Sequence, residues 1–76
     1  MRIATVNPRE NHTLEVVADD GRVGRFDMTP YLELEAFEAL KEPANFKKVT
    51  NGRYFVEWPN GADLSADTIE ARWVAQ

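Results

Sequence analysis

Phe46-Lys47-Lys48-Val49-Thr50-Asn51-Gly52-Arg53-Tyr54-Phe55-Val56-Glu57-Trp58 is the stretch that decides the fold. Asn-Gly between two apolar runs is the strongest short-range hairpin signal, because both residues tolerate the positive φ of a tight turn. It predicts antiparallel strands over Phe46–Thr50 and Arg53–Trp58, with Asn51 and Gly52 both at positive φ. Side chains alternate across a strand. Tyr54, Val56 and Trp58 therefore share one face, read as core, and Arg53, Phe55 and Glu57 share the other. Lys47-Lys48, the one adjacent basic pair, falls inside the first of these strands.

Upstream, a second set of strands is legible. Arg2–Val6 reads as a strand ended by Pro8, and Arg9-Glu10-Asn11-His12 as a polar loop. Over Thr13–Ala18, Leu14, Val16 and Ala18 take one face and Thr13, Glu15 and Val17 the other. Asp20-Gly21 suits a hairpin turn. Arg22–Asp27 returns, with Phe26 inward. Between the two sets, Thr29-Pro30 can open a helix. Tyr31–Lys41 carries Leu34, Phe37 and Leu40 at helical spacing, with Glu33, Glu35 and Glu38 outward. Pro43 ends that helix, and Ala44-Asn45-Phe46 forms a short turn.

Downstream, Pro59-Asn60-Gly61 is a turn and Ser65 is a natural N-cap. Leu64 and Ile69 stand at the spacing of a hydrophobic staple, Asp67 lies in the first turn, and Ile69 and Trp73 continue the apolar stripe. The order βββ-α-ββ-α predicts one small α+β domain over residues 1–76. Its sheet is mostly antiparallel, a mixed sheet being left open, with two helices on one face.

A chain of 76 residues buries only about 60% of the surface its unfolded form exposes. Small domains are commonly helped by disulfides, metals or a second subunit. With no cysteine, disulfides and cysteine zinc sites are excluded, which fits a reducing, cytoplasmic setting. No run approaches the roughly 18 apolar residues of a membrane span. The net charge of -4 is a poor match for phosphate backbones and argues against nucleic-acid binding by this chain alone. It suits a basic protein partner better.

One further likeness rests on Leu14-Glu15-Val16, Asp20-Gly21, Phe26-Asp27, Leu40-Lys41-Glu42-Pro43-Ala44-Asn45-Phe46 and Trp58-Pro59-Asn60-Gly61-Ala62-Asp63-Leu64-Ser65. In that order and spacing the chain resembles the bacterial family catalogued as domain of unknown function 2442, over nearly its whole length. The resemblance implies a small α+β fold and no established activity. Some members carry an appended helix-turn-helix domain, which this chain, stopping at Gln76, is expected to lack. Members are often encoded beside another short protein, in the manner of toxin–antitoxin pairs. This implies a protein-binding role by association only.

Chemistry-bearing residues are few. His12, the only histidine, has no second titratable group at a readable spacing and reads as a solvated loop residue. Asp19-Asp20 reads as a turn, since adjacent strand residues point apart. Asp63, Asp67 and Glu70 could hold a hard cation near the last helix start; the plainer reading is a turn residue, a dipole partner and a solvated carboxylate. Ser65 reads as a cap and Thr68 has no base beside it. Gly21-Arg22-Val23-Gly24 is followed by no helix, so it is no phosphate loop. The more informative set is Val17, Arg53, Phe55 and Glu57: if both helices cover one sheet face, these lie on the uncovered one, as apolar residues rimmed by both charges. The expectation is a non-enzymatic protein-interaction domain without cofactor or metal, meeting a protein partner or a second copy by that face or a strand edge. It would be the acidic member of a toxin–antitoxin-like pair. The alternatives are a ligand- or metal-binding module on Asp63, Asp67 and Glu70, and a small enzyme whose site forms at an oligomer interface.

Overall fold

Alternation in Thr13–Ala18 organises the first half of the chain. In the computed structural model, which describes all 76 residues, this strand, β2, buries Leu14, Val16 and Ala18 and leaves Thr13, Glu15 and Val17 half-covered. It pairs antiparallel with β1 (Ile3–Arg9) on one side and β3 (Val23–Asp27) on the other. The β2–β3 turn closes through Ala18 and Arg22, with Gly21 at φ +92°, a conformation that glycine reaches without steric cost. Pro8 does not end β1. It pairs opposite Leu14 within the strand, as proline can on a sheet edge, where no ladder needs its missing N–H.

The segment after β3 is not the α-helix its composition suggests. Asp27 Oδ1 accepts from Thr29 N at 2.9 Å, and a 3₁₀ turn follows over Thr29–Tyr31. A second 3₁₀ stretch covers Glu35–Lys41 and buries Phe37 and Leu40. Leu34 is its N-cap, in extended conformation, and is 53% exposed. Residues three apart line up on a 3₁₀ helix but drift round an α-helix. The spacing of Leu34, Phe37 and Leu40 is thus a three-per-turn signal, and its first member falls outside the turn. Helix α1 (Pro43–Phe46) is one turn long, with Pro43 opening it. Lys47 and Lys48 lie in the exposed turn after it and not in a strand.

The hairpin forms, but displaced. β4 (Thr50–Asn51) pairs with β5 (Phe55–Glu57), so the loop is Gly52-Arg53-Tyr54. The positive φ belongs to Arg53, at +76°, and not to Asn51 or Gly52. β6 (Asp63–Ser65) adds a third strand to β5. Ser65 then caps α2 (Ala66–Arg72), its Oγ accepting from Thr68 N at 3.1 Å. Trp73 is the C-cap, and β7 (Val74–Ala75) pairs antiparallel with β3.

The fold is α+β and every ladder is antiparallel. The strands divide between two sheets, β1-β2-β3-β7 and β4-β5-β6, where a single sheet was expected. Between them lies one cluster of fifteen buried side chains drawn from both sheets, both helices and the 3₁₀ turns. Trp58 is central to it: its ring lies against Phe46 and Phe37, and its Nε1 donates to Phe46 O at 2.9 Å. That bond satisfies the one polar atom the indole brings into the core.

Candidate functional site

The displaced hairpin exposes what alternation would bury. Tyr54 is 64% exposed, while Val56 and Trp58 are core. The cause is local and long-range at once. Asn51 Oδ1 accepts from Arg53 N at 2.8 Å, an Asx turn that holds Arg53 in the left-handed region. The Asn51 Nδ2 donates to Ile3 O at 2.9 Å and to Ala4 O at 3.2 Å. Asn51 thereby ties the hairpin to β1, and the turn starts one residue later.

The backbone of this tip is held on three sides. Gly52 N donates to Phe55 O at 2.8 Å, Ile3 N donates to Arg53 O at 2.6 Å, and Ala66 N donates to Tyr54 O at 2.8 Å. The Phe55 ring lies flat on Gly52, where any Cβ would strike it. Phe55 is still 37% exposed. Arg53, Tyr54 and Phe55 therefore stand on a backbone fixed to β1 and to the start of α2. Rigid display matters energetically, because less conformational freedom remains to be lost on binding. Tyrosine, phenylalanine and arginine are also enriched in the buried centres of protein interfaces.

Of the expected partner-facing set, Arg53, Phe55 and Glu57 are exposed on the second sheet. Val17 lies on the outer face of the first sheet, between Thr5 and Val23. The set is thus split between two surfaces, because the strands that carry it belong to different sheets. Tyr54, read as core, joins the exposed group.

Asp63, Asp67 and Glu70 do not converge. Glu70 Oε1 accepts from the Met1 amine at 3.0 Å and its Oε2 from Arg22 Nη1 at 2.7 Å. Arg22 also donates from Nε to Asp20 Oδ2 at 2.8 Å, and its guanidinium lies 5.8 Å above the Trp73 ring. The Arg22 guanidinium, and after it the Met1 amine, hold the Glu70 carboxyl below the usual carboxylate range. The Arg22 backbone N–H does most to lower Asp20, and Glu70 and then Asp20 raise the Arg22 guanidinium in turn. This network ties the β2–β3 turn, the N-terminus and α2 together. No three His, Cys, Asp or Glu side chains gather in a metal-ligating group.

His12 is not a solvated loop residue. It is half-buried at φ +55°, its Nε2 lies 3.1 Å from Lys41 O, and its ring meets Phe46 edge-on at 5.1 Å. It fastens the β1–β2 loop to the segment before α1. The shallow cleft beside it, lined by Arg9, Glu10, Asn11 and Lys47 among others, is open and polar.

With this geometry in place, the comparisons can be stated. Residues 3–75 match the family described as "Protein of unknown function (DUF2442)". The chain belongs to this family. Its description assigns the family no catalytic role. No curated protein and no solved structure matches the chain. No helix is long and apolar enough to cross a membrane.

Proposed function

We propose that this family member is a non-enzymatic protein-interaction domain, and that Arg53, Tyr54 and Phe55 at the β4–β5 tip are its contact with a protein partner. The observation that carries the reading is the exposed Tyr54 beside Phe55 on a backbone pinned from three directions. The net charge of -4 favours a partner with a basic surface, which it would steer by long-range attraction. The reading includes the acidic role in a two-protein pair of toxin–antitoxin type. A cation-binding role for Asp63, Asp67 and Glu70 has less support, since both Glu70 oxygens already accept from cations.

The test is co-expression with the product of the neighbouring gene, followed by titration calorimetry. Tyr54→Ala is expected to weaken the complex by at least about tenfold, or roughly 1.4 kcal/mol, with an unchanged melting temperature. Binding that survives Arg53→Ala, Tyr54→Ala and Phe55→Ala alike would place the contact elsewhere.

A further inference from the structure

The outer face of the first sheet carries a second surface, independent of the β4–β5 tip. Its residues follow from the register in three cross-strand rows. The first is Thr5–Val17–Val23, the second Asn7–Glu15–Arg25–Val74, and the third Arg9–Thr13–Asp27. Val74 is 72% exposed and Val17 and Val23 are half-covered. A sheet face left permanently to water is ordinarily polar throughout. Here valines recur on β2, β3 and β7.

The charges on this face are two cations and two anions. Arg9 Nη2 donates to Glu15 Oε1 at 2.9 Å, and Arg25 lies 4.0 Å from Glu15 Oε2. Asp27 stands at the far end of the third row, opposite Thr13, with Oδ1 occupied by Thr29 N. The face is therefore neutral in a chain of net charge -4. Two copies of an acidic chain repel each other least where their facing surfaces are neutral.

From this we infer that the outer face of β1-β2-β3-β7 is a self-association surface whose occupant is a second copy of this chain. The charge order gives the symmetry. A two-fold axis running along β2 in the plane of the interface keeps each row in place and exchanges β1 with β3. Arg9 of each copy then meets Asp27 of the other, twice, and Val17 meets Val17. Such a contact is isologous and closes at two copies. Edge pairing is the weaker route. Pro8 withholds an N–H from the β1 edge, Asn51 and Arg53 occupy that edge at Ile3 and Ala4, and β7 is two residues long. Four strands at about 4.8 Å and six residues at about 3.3 Å give a face of roughly 20 by 20 Å. That is less than the roughly 800 Å² per partner of a standard interface, so the dimer is weak and concentration-dependent.

Sedimentation velocity on the full chain, from about 5 to about 500 µM at low salt, tests this. The parent is expected to pass from monomer to dimer across that range. Arg9→Asp and Asp27→Arg are each expected to weaken association by at least about tenfold. An equimolar mixture of the two variants should dimerise again, because each heterodimer restores both corner pairs. Val17→Lys, which leaves the Asp27–Thr29 bond intact, should remain monomeric without a lower melting temperature. A parent that stays monomeric throughout overturns the inference. So does a dimer indifferent to Arg9→Asp and Val17→Lys, or a mixture of folded variants that stays monomeric.

Discussion

Gly24 is buried in β3, and the ring of Trp73 lies directly over it. A Cβ at Gly24 would stand 2.8 Å from Trp73 Cγ, with Cδ2 and Cε3 closer still. The indole cannot swing aside freely. Its own residue caps α2, the next two residues pair with β3, and Arg22 lies on its other side. Gly24→Ala should therefore cost about 1–3 kcal/mol by overpacking. Removing the entropic penalty of a strand glycine returns roughly 0.5–1 kcal/mol. The net loss is about 1–2 kcal/mol, which in a domain of this size lowers the melting midpoint by roughly 5–15 °C. Thermal and urea unfolding followed by circular dichroism give both quantities. The decisive measurement is the double-mutant cycle. In a Trp73→Ala background the clash is gone, so Gly24→Ala should become neutral or stabilising. A Gly24→Ala variant that melts with the parent would refute the stacking, as would one that loses the same stability with and without Trp73.

Three further outcomes follow from the same contacts. Ser65→Ala should cost about 0.5–2 kcal/mol in chemical denaturation, since Thr68 N loses its only cap. Arg53→Gly should raise the melting temperature, because glycine takes the +76° φ without strain, worth up to about 1 kcal/mol; a lower melting temperature would mean the arginine side chain holds the tip. Glu70 and Asp20 are depressed in the folded state, so the stability they contribute is present above their unfolded pKa values, near about pH 4, and is lost as pH falls through the folded ones. Melting temperatures measured from about pH 7 down to about pH 2 should fall more steeply for the parent than for Arg22→Ala, and parallel curves would count against the network.

What was legible in the sequence is what is decided locally. Thr13–Ala18 alternates because one face meets the core, and the pattern survives intact. Ser65 caps α2 through a bond to a residue three positions on. Asp20-Gly21 turns where its own torsions dictate. The misreadings share a different cause. Strand β7 is two residues long and exists only because Trp73 brings the chain back beside β3. Glu70 meets Arg22 across 48 positions and the Met1 amine across 69, so no spacing rule could mark it as engaged. Over residues 31–41, leucine, glutamate and alanine favour an α-helix by propensity. Tertiary packing of Phe37 and Leu40 takes the tighter turn instead.

The Asn51-Gly52 signal shows how a correct motif can yield a wrong surface. Asn51 was assigned to the turn for its tolerance of positive φ. In the fold its amide is used three times over, by Arg53 N, Ile3 O and Ala4 O. Those bonds keep Asn51 in β4 and transfer the left-handed residue to Arg53. Tyr54 then precedes β5 and escapes its alternation, while Val56 and Trp58 obey it. A non-glycine residue in the left-handed region costs about 1–2 kcal/mol, and glycine stands one position away. The arrangement spends stability at the position that turns an aromatic ring toward solvent. Strain at a display site is a reason to look there for function, and it directs the search for a partner to the hairpin tip. Val17, read from sequence as part of the same patch, belongs to the other sheet and to a different contact.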